Sequence, residues 1–318
     1  MASITVVIPC YNASSHLLKC IQALNAQNNK DFEVTFVDDA STDNTVEVIN
    51  NLKSNVNFDY SLISCKKNEG PANARNIAIK KTTTEFITFC DSDDWYDETY
   101  IESMYRGLKK NNIDIVFCGY KVVNEKGDAE EKKIIEQSAV LGIEEALTSD
   151  VDSLCMMMVK TSIMKKHLLP DIRNGEDMAV VPLLLIEANQ CLFLEACLYN
   201  YFRRSDSASQ TISMNVVKSF GKSFDYIFER AGQYKNEIEY IGIRNLIYAS
   251  LISLFSISYD KKTANEIISG FETRFPDWEK NQYLLNLPLY KKVVVKLAKH
   301  KLYFGIYILA IVRKKLIS

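Results

Sequence analysis

Asp91, Ser92, Asp93 and Asp94 follow directly on Glu85–Cys90, a mostly apolar run of strand length and composition. Three carboxylates at the end of a buried strand repel one another and lose hydration, so a cation or a ligand has to compensate them. The cation that suits such oxygens is a hard divalent metal, Mg2+ or Mn2+, which commonly shares its shell with substrate phosphates. Two other strand-like runs also finish in polar residues. Ile4–Ile8 leads into Pro9-Cys10-Tyr11-Asn12, and Phe32–Val37 leads into Asp38-Asp39-Ala40-Ser41-Thr42-Asp43. One polar strand end is ordinary turn chemistry. Three at the same edge make a site, because ligands of open parallel sheets bind beyond the carboxyl ends of the strands.

Positioning these residues takes an alternating fold. Tyr60–Ile63, Phe86–Phe89 and Ile113–Cys118 read as further strands, and residues 14–27, 43–54, 71–81 and 98–110 as the helices between them. Leu17, Leu18, Ile21 and Leu24 repeat at helical spacing. Apolar strands alternating with helices predict an α/β domain with a parallel sheet covered on both faces. Asp43 is placed to cap the helix that follows it, and Gly70-Pro71 opens the third helix. Residues 121–137 read as a charged hairpin around Asn124–Asp128. A helix near 142–148, a strand near Leu154–Val159, a helix from 176 and strands at Cys191–Leu194 and Tyr199–Phe202 come next. Pro182 is expected to kink the helix from 176 after one turn. From 213 onward the pattern is helical, which divides the chain into domains 1–212 and 213–318.

The 318 residues are 47% hydrophobic and 25% charged, the balance of a folded domain with an ample core. The longest uncharged apolar run, Leu246–Tyr259, falls short of the roughly 20 residues of a spanning helix. No basic segment and h-region of a secretory signal are expected at the start. The eight cysteines are scattered without a Cys-x-x-Cys pair, and Cys90, Cys118 and Cys155 sit in apolar runs. They read as reduced core residues of a cytoplasmic protein. His16, His167 and His300 form no ligand set. The net charge of -2 hides an asymmetry: residues 289–318 carry eight Lys or Arg and no acid, leaving 30 of the 38 basic residues against all 40 acidic ones elsewhere. That balance excludes a general nucleic-acid binder and marks a local anionic contact at the tail.

Five segments in order resemble family 2 glycosyltransferases of the GT-A fold, the bacterial group that builds capsular, lipopolysaccharide and teichoic-acid-type glycans. They are Val6–Asn12, Val37–Asp43, Asn68–Asn76, Asp91–Asp93 and Gly175–Asp177. The resemblance runs from residue 3 to 210 and implies a Rossmann-like, mostly parallel nucleotide-diphospho-sugar transferase domain followed by an all-helical region. It also implies roles. Asp93 would be the metal ligand of a DxD motif, with Asp91 facing the ribose and the ion and Ser92 between them. Mg2+ or Mn2+ there would bridge the two phosphates of a nucleotide-sugar and stabilise the departing diphosphate as a Lewis acid. Asp39 would read the base, its carboxylate accepting the imide N–H of uracil, which points to a UDP-linked donor. Pro9 and Tyr11 would line the base pocket. Arg75 would stand beside nucleotide and diphosphate or bridge to an aspartate, and Arg203 or Arg204, in the loop Tyr201–Ser207, would contact the diphosphate. Asp177 would be the catalytic base, taking the proton of an acceptor hydroxyl as it attacks the anomeric carbon with inversion. Gly70, Asn76 and Asp94 read as structural, Asp94 as a helix cap.

The resemblance further implies an enzyme working at the inner face of the membrane on a glycan or polyprenyl-linked acceptor. Lys291, Lys292, Lys296, Lys299 and Lys301 precede the apolar run Leu302–Val312, and Arg313, Lys314 and Lys315 follow it. That run is too short to span a bilayer but can lie in an anionic interface. Packing on the body and homo-oligomerisation are the other two readings of the tail. Two rival functions stand beside the transferase. A catalytically silent scaffold of a glycan-assembly complex is opposed by the intact Asp91, Asp93 and Asp177. A haloacid-dehalogenase-like phosphatase would need a nucleophilic aspartate at the opening strand, where this chain has Pro9-Cys10-Tyr11-Asn12.

Overall fold

Contacts along the chain divide it into two units, Met1–Asp171 with Leu184–Ser205, and Ile172–Leu183 with Asp206–Ser318. The computed structural model describes residues 2–204 and 212–317.

The first unit is built on one mixed sheet of ten strands among the described residues. They are β1 (Ile4–Cys10), β2 (Phe32–Asp38), β3 (Asp59–Ser64), β4 (Phe86–Phe89), β5 (Trp95–Tyr96), β6 (Ile113–Asn124), β7 (Ala129–Lys132), β8 (Ala139–Leu141), β9 (Met157–Lys160) and β10 (Gln190–Arg203). Their order is β3-β2-β1-β4-β9-β6-β10-β5, with β7 on β6 and β8 on β10. The first four are parallel. All seven residues of β1 are buried, as a strand covered on both faces must be. Ile4, Val6, Val7 and Ile8 are each 0% exposed, worth about 1.5–3 kcal/mol apiece in removed apolar surface. Register brings the polar strand ends together. Cys10 lies opposite Asp38 and Val7 opposite Phe89, so the segments after β1, β2 and β4 leave the sheet at one edge.

Beyond β4 the sheet departs from simple alternation. β9 enters antiparallel between β4 and β6. The composition of Met157–Lys160 marks a strand but carries no sign of its partner or direction. The charged hairpin is β6 and β7, antiparallel around Gly127 at φ 88°. The two runs read at Cys191–Leu194 and Tyr199–Phe202 are one strand, β10. Irregularities between Phe193 and Cys197 and between Cys197 and Tyr199 explain the break in its apolar pattern. The helix Leu17–Asn25 buries Leu17, Cys20, Ile21 and Leu24, whereas Leu18 is 60% exposed. All eight cysteines are free, and seven of them are buried.

The helix Glu176–Glu187 runs for 12 residues with Pro182 inside it. Val180, Val181, Leu183 and Leu184 around the proline are buried, and that packing outweighs one missing amide donor. In the second unit Lys235–Gly242, a π-helical stretch Ile243–Ser250 and Leu251–Ile257 join into a single helix of 23 residues. It is long and apolar enough to cross a membrane, yet 72% of its most apolar window is buried, the profile of a core helix. It packs against Met214–Phe228, Lys261–Arg274, Leu289–Lys299 and Tyr303–Ile317.

Asn76 clasps a distant loop: its Nδ2 donates to Leu169 O at 2.8 Å and its Oδ1 accepts the Leu169 N–H at 2.9 Å. Leu169 is 4% exposed. Asn76→Ala leaves both backbone groups without these partners and is expected to cost about 1–3 kcal/mol in urea unfolding. An unchanged midpoint would show that the clasp contributes nothing.

Candidate active site

The loops after β1 and β2 are laced together. Asn12 has a left-handed backbone (φ 49°). Its Oδ1 accepts the Thr42 N–H at 2.8 Å, and its own N–H donates to Ser41 Oγ at 2.9 Å. Asp43 Oδ2 accepts the N–H and hydroxyl of Ser14 at 3.1 and 2.6 Å, while Oδ1 accepts the Thr45 N–H at 3.0 Å and its hydroxyl. Burial pushes the Asp43 carboxyl up, but these four hydrogen bonds outweigh it and hold it down at about 2. The residue read as a simple cap is therefore a tie between two loops.

Asp38 and Asp39 are each 3% exposed. Asp38 accepts the Ser41 N–H at 3.2 Å. Asp39 accepts the Glu69 N–H at 3.0 Å with one oxygen and the Gly70 N–H at 2.7 Å with the other. Gly70, at φ 91°, is the entry to the helix Pro71–Lys81. Asp39 thus fastens the end of β2 to that helix entrance, a role the sequence reading did not include. A carboxylate has about four lone-pair sites, so the two amides do not exhaust it.

The Asp91–Asp94 cluster is compensated from within. Arg75, 4% exposed, sets Nη2 at 2.6 Å from Asp91 Oδ1, and Arg204 sets Nη2 at 3.1 Å from Asp93 Oδ2. Asp94 is 2% exposed and caps no helix. It accepts the Tyr199 hydroxyl at 2.5 Å and the Phe202 N–H at 2.7 Å. The Tyr199 hydroxyl also receives the Asp91 N–H at 3.3 Å. Burial, then the charge of Asp91, raises the Asp93 carboxyl, against the opposing pull of Arg204 and His16. Burial and the charges of Asp91 and Asp93 raise Asp94 well above the usual carboxylate range. Sequence reasoning missed Tyr199. A tyrosine in an apolar run carries no mark that its hydroxyl will meet a carboxylate. It also missed Lys19, whose ammonium lies 3.3 Å from the Trp95 ring centroid.

Among the described residues, no group of three or more His, Cys, Asp or Glu gathers to hold a metal alone. The donor chemistry fits an ion that brings most of its shell with it. The Asp93 side chain, 26% exposed, offers a hard oxygen, and phosphate and water complete such shells.

The other expected residues are dispersed along the same unit. Pro9 is buried within β1, Tyr11 just after it is 50% exposed, and Ser92 is half-buried between the two paired aspartates. Arg203 ends β10 opposite Asn124 and makes no ion pair among the described residues, so the structure brings Arg204 and not Arg203 onto the carboxylates. Residues 205–207 of the expected diphosphate loop lie outside the described residues.

Asp177 belongs to the second unit, in the first turn of Glu176–Glu187. The turn before it is built closely onto the helix Met214–Phe228. Ser219 Oγ donates to Arg173 O at 2.6 Å and Ser223 Oγ to Gly175 O at 2.8 Å. A Cβ at Gly175 would stand 2.5 Å from Ser223 Oγ and 3.0 Å from Ile172 Cγ2, so this approach requires glycine. Glu176, 8% exposed, turns its Oε2 back to accept the Gly175 N–H at 3.0 Å. Asp177 is half-buried.

A family model described as glycosyl transferase family 2 matches residues 5–169. An uncharacterized glycosyltransferase of Rickettsia felis is 32% identical over 180 residues, 55% of this chain and 29% of that protein. One of Haemophilus influenzae is 26% identical over 265 residues, 82% of this chain and 99% of its own length. This chain spans 25–31% of the length of the first four curated relatives it matches. Among solved structures, Staphylococcus aureus TarS 1–349 superposes with a TM-score of 0.72 at 17% identity, covering 100% of this chain and 92% of that one; it is also known bound to UDP and to UDP-GlcNAc. A Pyrobaculum calidifontis mannosyltransferase with GDP-Man and Mn2+ superposes at 0.56 with 13% identity, covering 98% of this chain and 88% of its own. These likenesses establish the GT-A fold with its helical C-terminal region.

The hydrogen bonds at Asp43 carry a pH signature. Its folded value lies below the ordinary carboxylate value of about 3.9, so it stabilises the fold above that pH and loses the contribution as pH falls towards about 2. Asp43→Asn is expected to flatten the decline in urea midpoint between about pH 4 and 2. Parallel declines in the two proteins would overturn the assignment.

Proposed function

The chain belongs to glycosyl transferase family 2, and on that premise we propose that it moves a sugar from a UDP-linked donor to a hydroxyl of a cell-surface glycan or lipid-linked acceptor, with inversion. The observation that carries this reading is the pairing of Asp91 with Arg75 and Asp93 with Arg204 at the edge where β1, β2 and β4 end. Two guanidiniums and a hard-oxygen ligand are the chemistry a diphosphate needs. A divalent ion, Mn2+ or Mg2+, held by Asp93 with Asp91 beside it, would supply Lewis-acid stabilisation of the leaving diphosphate. Asp39 accepts the imide N–H of the base with the lone pairs its backbone amides leave, and Tyr11 offers an exposed ring face to it. Arg75 and Arg204 turn from carboxylate to phosphate oxygens as the donor enters. In the transfer step the acceptor oxygen bonds to the anomeric carbon and the bond from that carbon to the phosphate oxygen breaks. The electron pair leaves with the nucleoside diphosphate, and Asp177 takes the acceptor's proton. TarS, named as a poly(ribitol-phosphate) N-acetylglucosaminyltransferase and solved with UDP-GlcNAc, supports the choice of nucleotide and of a surface-glycan setting.

The same reading places the protein at the cytoplasmic face of a membrane. Phe304, Ile308, Val312 and Leu316 recur every fourth residue along Tyr303–Ile317 and are 62%, 45%, 49% and 81% exposed, while Ile306 and Ala310 on the other side are buried. Basic residues flank this stripe, which suits an anionic interface.

Three experiments test these readings. Asp93→Ala should abolish the Mn2+-dependent part of UDP-sugar binding in calorimetry. Asp177→Asn should retain that binding and lose transfer by about 10²–10⁴-fold. Unaltered metal-dependent affinity in the first, or full turnover in the second, would remove the role assigned. For the membrane, Phe304→Ser with Ile308→Ser should release the protein from vesicles rich in phosphatidylglycerol. Equal co-sedimentation of both proteins would rule the interface out.

A further inference from the structure

Arg173, Lys218 and Lys222 line one groove of the second unit, about 340 Å³ in volume, together with Asn174, Ser213 and Asn215. Among the described residues no carboxylate lines it, and none of the three cations makes an ion pair. Some cations of this unit do have an acidic partner, as Arg274 has Asp225 and Lys299 has Glu279. Three uncompensated charges around one concavity repel one another, and an anion relieves the repulsion.

The groove is a built feature. Lys218 and Lys222 stand four residues apart, one turn of the helix Met214–Phe228, so they share a face. Ser219 and Ser223, one residue on from each, are the two hydroxyls that pin Arg173 O and Gly175 O. The helix that supplies the lysines therefore also fixes the opposite wall, through the close approach that only Gly175 permits. Donors converge from both walls: a guanidinium, two ammonium groups and the amides of Asn174 and Asn215. That wall ends three residues before Asp177 in the chain.

The geometry points to an acceptor subsite for a phosphate group: the groove holds a phosphate of the acceptor while its hydroxyl is presented to Asp177. The inference rests on the reading of Asp177 as base and of the chain as a transferase. The phosphate can belong to a polyol-phosphate polymer or to a lipid-linked diphosphate; both present non-bridging oxygens to Arg and Lys.

The test measures fluorescence anisotropy of three probes on the full chain. They are a labelled glycerol-phosphate oligomer, a labelled farnesyl diphosphate, and a neutral dextran oligomer of matched size. The variants are Lys218→Gln with Lys222→Gln and, as a control of equal charge loss, Lys261→Gln with Lys262→Gln. UDP affinity is followed in each. At least one phosphate probe should bind the wild type and the control, and bind the Lys218/Lys222 variant about tenfold more weakly, with UDP affinity unchanged. Which phosphate probe responds identifies the source. Equal weakening in the control variant, equal binding of dextran, or no loss in the Lys218/Lys222 variant would overturn the subsite. Failure to bind UDP at all would instead strike at the transferase reading.

Discussion

Three aspartates at the end of β4 cannot share a buried edge without positive charge, and two arginines supply it. Arg75 arrives from the helix after β3 and Arg204 from the end of β10, so the compensation joins segments far apart in the chain. Each ion pair is partly buried on the arginine side, where removal of one partner would leave a charge stranded. On the proposed function, the phosphate oxygens of the donor would take the place of these carboxylates at the two guanidiniums.

Around that cluster the scaffold is tied by hydrogen bonds that never reach a substrate. Asp94 holds Tyr199 and the Phe202 amide, and so draws the end of β10 to the turn after β4. Asp39 draws the entrance of the helix Pro71–Lys81 to β2, and Asp43 draws the β1 and β2 loops together. Acidic residues at these strand ends therefore hold the scaffold together, and the proposed function adds to Asp39 the reading of the base. Rigid placement of a few polar groups by such supports is what distinguishes a site from a polar surface.

Much of this was legible in the sequence. The four parallel strands, the helix Pro71–Lys81 and the convergence of three polar ends follow from apolar periodicity and turn residues. What could not be read is instructive. The direction of β9 depends on neighbours more than 30 residues away on either side, and four residues of Met, Val and Lys contain no such information. Pro182 marks a kink locally, and the sequence does not show how far the helix runs on beyond it, which buried apolar residues on both sides decide. For Asp94 the sequence suggests a local cap, because local hydrogen bonds are the only ones it can express. Its partners at Tyr199 and Phe202 lie over 100 positions downstream. Arg203 and Arg204 are equivalent on paper, and only strand register separates them.

The helix Lys235–Ile257 has a consequence for biogenesis. It is long and apolar enough to cross a bilayer, and part of what covers it comes from Lys261–Arg274, Leu289–Lys299 and Tyr303–Ile317, all of which follow it in the chain. During synthesis it emerges tens of residues ahead of Leu289–Lys299 and Tyr303–Ile317. For that interval part of its apolar surface lacks its cover, and exposed apolar surface is an aggregation hazard. The terminal helices then do more than decorate the fold. Their arrival completes the burial of this segment.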